Sequence, residues 1–280
     1  MRISLVQLSP TLGDIDANLA LIEAEIERAA AHRAELAVFP ELALTGYRLK
    51  DLVPHVALRL DRAGPVRDDS RRSRGKIPFV IGLVEETSEH RFFNAAAYWE
   101  DGQLVHVHRK CFLPTYGMFD ERMDFSPGER LRCASTRLCR LGVLICEDVW
   151  HPAASTVLTQ AGATLLIALS ASPLRGLGSG GAGVLSDDSW QSLVCTMARF
   201  HTVPMLYVNR VGYEDGVAFA GRSFACGPGG EILAQAGDLD PEHVVVEIDP
   251  EATRAARAHY PLVRDERPQL IARELLRVAR

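Results

Sequence analysis

No stretch of this chain is long and apolar enough to span a bilayer, and the N-terminal MRISLVQLSP alternates only briefly, without an extended hydrophobic core or a small-residue cleavage site. Membrane and secretory classes are set aside, and a cytoplasmic location is expected. A basic surface is missing as well: the formal net charge is −5, and positive residues are scattered except at Arg71, Arg72, Arg74 and Lys76, which read as a solvated loop. Nucleic acid is therefore not an expected partner. The six cysteines include no CxxC pair and no regular spacing, which argues against a zinc ribbon and a disulfide framework and leaves them as thiols, one of which stands apart. No metal and no cofactor are expected. No compositional break or long linker divides the chain, so residues 1–280 read as one domain with an arm and helix from about residue 250.

What is present is an ordinary globular composition, 47% apolar and 24% charged, able to bury a sizeable core. Arg2 to Leu8 alternates as a strand, and IDANLALIEAEIERAA puts Ile15, Leu19, Ile22 and Ile26 on one helical face behind Asp14 as N-cap. ELAVFPEL is the next strand. The strand–helix pattern recurs through GVLICEDVW, PAASTVLTQAGA, TLLIALSASP, DSWQSLVCTMARF and VPMLYVNRV, with His151 expected to cap the helix that Pro152 begins. IPFVIGLVEE, FFNAAAYWEDG and QLVHVHRKCFLP read as strands joined by short polar links, and RSFACGPGGEILAQAG as a hairpin around Pro228, Gly229 and Gly230. The expected class is α/β with mixed sheets. Long surface loops are expected from Arg62 to Lys76 and from Leu174 to Asp188, the second glycine-rich and suited to closing over a pocket.

Three apolar runs end on a polar residue: VFPELALTGY on Glu41, HVHRKCFLP on Lys110 and GVLICEDVW on Cys146. Strand ends are where sites collect in open α/β sheets. A buried cysteine by itself is a small hydrophobe, and the flanking acids Glu147 and Asp148 make this one unusual. A free thiol has a pKa of about 8.5, so a nucleophile at neutral pH needs a base or a cation beside it. Glu41 can take the thiol proton and later activate water, while Lys110 can hold both groups in register and stabilise negative charge on oxygen. A backbone N–H just after Cys146 would complete the oxyanion site.

SPTLGDIDANLALI, FPELALTGY, RKCFLPTYGMFDER, GVLICEDVWHP and LSASP together resemble the nitrilase superfamily of carbon–nitrogen hydrolases, most closely the glutamine-hydrolysing domain of glutamine-dependent NAD synthetase. The resemblance covers nearly the whole chain. It implies a four-layer αββα sandwich, a Glu41, Lys110 and Cys146 catalytic set, and Glu121 in FDERM as the second glutamate beside the lysine. It further implies a small amide substrate leaving as ammonia, with Tyr116, Glu147 and Ser172 lining its pocket. The segment after the Ser-Pro pair departs from the family pattern, SPLRGLGSGGAG offering only Arg175 to a substrate carboxylate. A homodimer or higher homo-oligomer, paired through outer helices, is also implied. The ATP-binding synthetase half is not among these residues, so the chain is not expected to make NAD by itself, and a separate ammonia-accepting synthetase is an expected possible partner.

Alternatives stand beside that reading. Cys146 could pair with His108, His151 or His201, although none lies in a distinctive motif. Cys111 points to the opposite strand face from Lys110 and reads as packing, and Cys133, Cys139, Cys195 and Cys226 read as structural. For function, an amidase acting on glutamine-like, ω-amide or N-carbamoyl compounds competes with a glutaminase subunit, a nitrile-hydrolysing variant and a catalytically silent binding or scaffold protein.

Overall fold

The computed structural model describes residues 1–60, 77–174 and 187–279, so the loop from Arg62 to Lys76 and most of that from Leu174 to Asp188 lie outside the described residues. The chain opens with β1 (Arg2–Gln7), α1 (Ile15–Ala31) and β2 (Leu36–Val38), and continues through β3 (Phe79–Glu86), β4 (Phe92–Glu100) and β5 (Gln103–Arg109). Next come β6 (Cys133–Ser135), β7 (Arg140–Ile145), α2 (Pro152–Gln160), β8 (Leu165–Ser170), α3 (Asp187–His201) and β9 (Met205–Asn209). The hairpin of β10 (Gly212–Glu214) and β11 (Val217–Phe219) precedes β12 (Phe224–Cys226), β13 (Ile232–Gln235) and β14 (Glu242–Glu247). Helices α4 (Pro250–His259) and α5 (Pro268–Val278) follow.

Two six-stranded sheets result, in the orders β14-β1-β2-β3-β4-β5 and β13-β12-β9-β8-β7-β6. Strand alternation sorts their side chains. In the first sheet Ile3, Leu5, Leu36, Val38, Val80, Ala96 and Tyr98 join a core with residues of the second sheet, while Val6, Phe79, Ile81, Leu83, Ala95, Ala97 and Trp99 pack in a separate core with Ile22 and Ile26 of α1. Helices α2 and α3 contribute Ala154, Leu158, Val194 and Ala198 to the second sheet's core. The order is helix, sheet, sheet, helix, the expected αββα sandwich.

Asp14 caps α1, accepting from the Ala17 N–H at 3.0 Å, as its position before the apolar stripe predicts. Both sheets are mixed. β1, β2 and β3 are parallel, as are β7, β8 and β9, whereas β4, β5 and β14 are antiparallel to their neighbours.

Three expectations need correction. The strand read through ELAVFPEL stops at Val38, because Pro40 has no N–H for the ladder, and Pro40 to Leu44 instead folds over the end of β3. His151 occupies the N-cap position of α2 without a side-chain capping bond, its ring stacking on Phe112 at 3.7 Å. Cys195 and Cys226 are not free thiols: α3 lies on β12, bringing their Cα atoms to 5.7 Å, and they form a disulfide across a separation of 31 residues that sequence spacing does not reveal.

Candidate active site

The loop that carries Glu41 is built rather than loose. Leu42 takes φ +49, turning the chain back over β3, where Gly82 donates to Pro40 O at 3.2 Å and accepts from Leu44 N at 3.1 Å. Asn18 of α1 donates to Leu44 O at 3.0 Å. Beyond it, the Tyr47 N–H donates to Glu214 Oε1 at 2.7 Å, and Arg210, itself fully buried, pairs with the same Glu214. Glu41 therefore sits on a loop stitched to the first sheet, to α1 and to the β10–β11 hairpin.

At the end of β5 the chain delivers Lys110, whose N–H donates to Asn94 O at 2.9 Å. Its ammonium is buried and donates to Glu41 Oε1 at 2.8 Å and to Glu121 Oε1 at 2.7 Å. Glu41 is closed from its other sides by Asn94 Nδ2, donating to Oε1 at 2.7 Å, and by the Ala171 N–H, donating to Oε2 at 2.8 Å. Tyr47 Oη donates to Glu121 Oε1 at 2.6 Å. At the end of β7, Cys146 opens a 3₁₀ turn to Trp150 with φ +44, uncommon for a residue with a side chain. Ser170, at the end of β8, donates its hydroxyl to the Cys146 sulfur at 3.6 Å. The structure thus gathers Glu41, Lys110, Glu121 and Cys146 into one cluster.

Burial and charge set the protonation states. Burial alone disfavours the Lys110 ammonium, but the carboxylates of Glu121 and Glu41 outweigh it and hold that pKa well above the usual lysine value. For Glu121, burial raises the pKa to about 7 against the pull of Lys110, with the charge of Glu41 adding to the rise. The Cys146 thiol is pushed up by burial and then by Glu41, with Lys110 opposing, so the resting group is a thiol in the field of two carboxyl groups and an ammonium. Tyr47 is likewise pushed up by burial and by the charges of Glu121 and Glu41.

The residues expected to line a substrate pocket lie around this cluster. Tyr116, half exposed, donates its hydroxyl to Glu147 Oε2 at 2.8 Å. The Ser172 N–H donates to Asn209 Oδ1 at 2.9 Å, and its hydroxyl accepts from the Trp190 indole N–H at 2.8 Å. Trp150 meets Trp190 edge to face at 5.2 Å. Arg175, and all but Leu174 of the glycine-rich segment Leu174 to Gly183 expected to act as a lid, lie outside the described residues.

The three histidines considered as partners of Cys146 are engaged elsewhere: His108 with Asp148 at 2.8 Å, His201 with Ser155 at 2.8 Å, and His151 on Phe112. Sequence reasoning missed Tyr47, Asn94, Ser170 and Trp190. A signal existed for Asn94 alone, a single polar residue inside the apolar run FFNAAAYW that must find a partner once buried.

Residues 2–258 match the carbon-nitrogen hydrolase family. The chain belongs to that family and is an enzyme of its class, acting on non-peptide carbon–nitrogen bonds. Among its relatives, the glutamine-dependent NAD(+) synthetase of Thermotoga maritima is 34% identical over 253 residues, 89% of this chain and 42% of that protein. The chain spans less than half the length of the NAD synthetases it matches. An (R)-stereoselective amidase from Pseudomonas sp. is 31% identical over 277 residues, 96% of this chain and 93% of that one. Among solved structures, the amidase of Nesterenkonia sp. AN1, of the nitrilase superfamily, superposes with a TM-score of 0.80 at 26% identity, covering 98% of this chain and 96% of that chain. A glutamate-to-glutamine mutant of that amidase carries the acetamide moiety of fluoroacetamide covalently on its active-site cysteine.

Proposed function

We propose that this protein hydrolyses a small amide to a carboxylate and ammonia through a thioester on Cys146. As the sulfur attacks the amide carbon, its proton passes to Glu41, and the tetrahedral oxygen takes its negative charge against the Lys110 ammonium and the Glu147 backbone N–H. The carbon–nitrogen bond breaks as Glu41 returns the proton to nitrogen, releasing ammonia and leaving the acyl group on sulfur. Water then attacks the thioester with Glu41 as base. The carbon–sulfur bond breaks, the proton returns to sulfur, and the carboxylic acid departs. Glu121 keeps Lys110 in place from the far side of the ammonium.

The observation that carries this reading is the buried Lys110 ammonium, held at 2.8 and 2.7 Å between Glu41 and Glu121. Burying such charges costs several kcal/mol per ion before pairing, and a site needing only packing would be better filled by apolar side chains. At the mouth, Tyr116, Glu147 and Ser172 offer a hydroxyl, a carboxylate and a second hydroxyl to the polar tail of a glutamine-like, ω-amide or N-carbamoyl substrate.

The length match to the glutaminase-bearing half of NAD synthetases favours a second reading, in which this chain hydrolyses glutamine and passes ammonia to a separate synthetase. Ammonia release from a panel of aliphatic amides, glutamine and N-carbamoyl compounds, measured with and without candidate synthetase chains, tests both. Turnover of at least one amide by the chain alone is expected. Stimulation by a synthetase, confined to glutamine, would select the second reading, and silence on the whole panel in both conditions would end both.

A further inference from the structure

Asp148 follows the thiol by two residues, is fully buried, and takes no part in the chemistry proposed above. Its carboxylate accepts four hydrogen bonds. Oδ1 takes the Cys111 N–H at 2.9 Å and the Phe112 N–H at 3.0 Å, and Oδ2 takes the Ile145 N–H at 3.0 Å and His108 Nε2 at 2.8 Å. A carboxylate offers about four lone-pair sites, so this one is fully used. The donors come from two places. Cys111 and Phe112 directly follow Lys110, and Ile145 directly precedes Cys146.

We propose that Asp148 is a positioning residue that ties the backbone just after Lys110 to the backbone just before Cys146, fixing ammonium and thiol relative to each other. The two residues belong to different sheets, β5 ending before one and β7 ending before the other, and the carboxylate bridges them directly at the strand ends. Cys146 needs such support. Its φ of +44 is held only where surrounding contacts over-determine it, and here the bonds at Ile145 N and from His151 N to Asp148 O, at 3.3 Å, close the turn on either side. His108, from β5, sets the carboxylate's orientation through Oδ2.

A metal reading of the same groups is weaker. His108, Cys111 and Asp148 do put possible ligand atoms within 4.8 Å of one another. Three backbone N–H groups already point at the carboxylate, and a cation would have to displace them. Burial and the charge of Asp148 push the Cys111 thiol up to about 11, so it does not offer a thiolate.

The kinetic arm of the test rests on the amidase reading, and a chemical arm does not. Wild type, Asp148→Asn and His108→Leu are compared for thermal midpoint, for kcat and KM on an amide substrate, and for the rate at which iodoacetamide alkylates Cys146, followed by peptide mass spectrometry across pH. Asn keeps the shape but sets an amide N–H against backbone donors. The Asp148→Asn variant should fold with KM little changed, and with kcat and the alkylation rate both lower by about a hundredfold, the scale of a misplacement near 1 Å. His108→Leu should lose about tenfold in both rates, since the backbone clamp remains without its lateral donor. Wild-type rates in a folded Asp148→Asn variant overturn the proposal. So does an Asp148→Asn variant that fails to fold while His108→Leu keeps wild-type rates, which assigns Asp148 to the fold alone. If wild type turns over no amide, the amidase reading fails, and the alkylation rates alone decide the role of Asp148.

Discussion

One ammonium between two carboxylates leaves the buried cluster with an excess of negative charge, and Glu121 absorbs it by holding a proton up to about pH 7. Lys110 and Tyr47 donate to its Oε1 alone, and its Oε2 is buried with no hydrogen-bond partner among the described residues, so burial outweighs their pull on the charged form. The sign of the consequence follows from linkage. The folded protein keeps a proton that the unfolded chain has released between about pH 4.5 and 7, so this contribution to stability is full below that window and is lost as pH rises through it. Lys110 and Cys146 are raised rather than lowered, so both stay protonated across the window in either state. Glu121→Gln, which mimics the protonated form, should flatten the trend. Between pH 5 and 8 the wild-type midpoint should fall relative to the variant, by on the order of a few degrees. Parallel melting curves would contradict the assignment of that proton to Glu121.

At the scale of elements, the site depends on how strands end. β2 is cut short by Pro40, β5 stops before Lys110, and β7 breaks at the positive φ of Cys146, so each polar group leaves its sheet at the same edge of the sandwich. Gly82 makes the first of these possible. A Cβ at that position would lie within 2.8 Å of backbone atoms of Pro40, Glu41 and Leu42, and backbone cannot move aside as a flexible side chain can. Gly82→Ala should destabilise by about 1–3 kcal/mol. Because the displaced segment carries Glu41, kcat should fall further, by about a hundredfold. A stable variant with wild-type kcat would show that the loop's path over β3 does not set the position of Glu41. Elements with strong periodicity were legible in the sequence, α1 with its Asp14 cap and β3, β4 and β7 among them. The β10–β11 hairpin was not, because GYEDGVAF is too short and too polar for a period to emerge, although its Asp215-Gly216 pair is a turn signal. The Cys195–Cys226 disulfide depends on α3 lying against β12, a tertiary fact that spacing cannot carry.

For the whole molecule, the cluster of Glu41, Lys110, Glu121 and Cys146 draws on both sheets, and no single element contains it. Glu41 and Lys110 follow β2 and β5 of the first sheet, Glu121 lies on the crossover from β5 to β6 that joins the two sheets, and Cys146 and Ser170 stand at the ends of neighbouring parallel strands in the second. Glu41, Lys110 and Cys146 stand out in the sequence because each falls where an apolar run ends, whereas Glu121, in the polar FDERM, is singled out only through the family resemblance. The supporting residues were hidden because their roles exist only once the sheets face each other: Tyr47 reaches Glu121 across 74 residues, and Ala171 reaches Glu41 across 130. In the proposed reaction this assembly forms an acyl bond to one particular sulfur, that of Cys146. The most direct test is peptide mass mapping of the protein acid-quenched during turnover of a small amide, run beside Cys146→Ala. A mass gain equal to the substrate minus ammonia is predicted on the peptide bearing Cys146, with a folded Cys146→Ala variant that releases no ammonia. An acyl group on another residue, or continued ammonia release by Cys146→Ala, would contradict it.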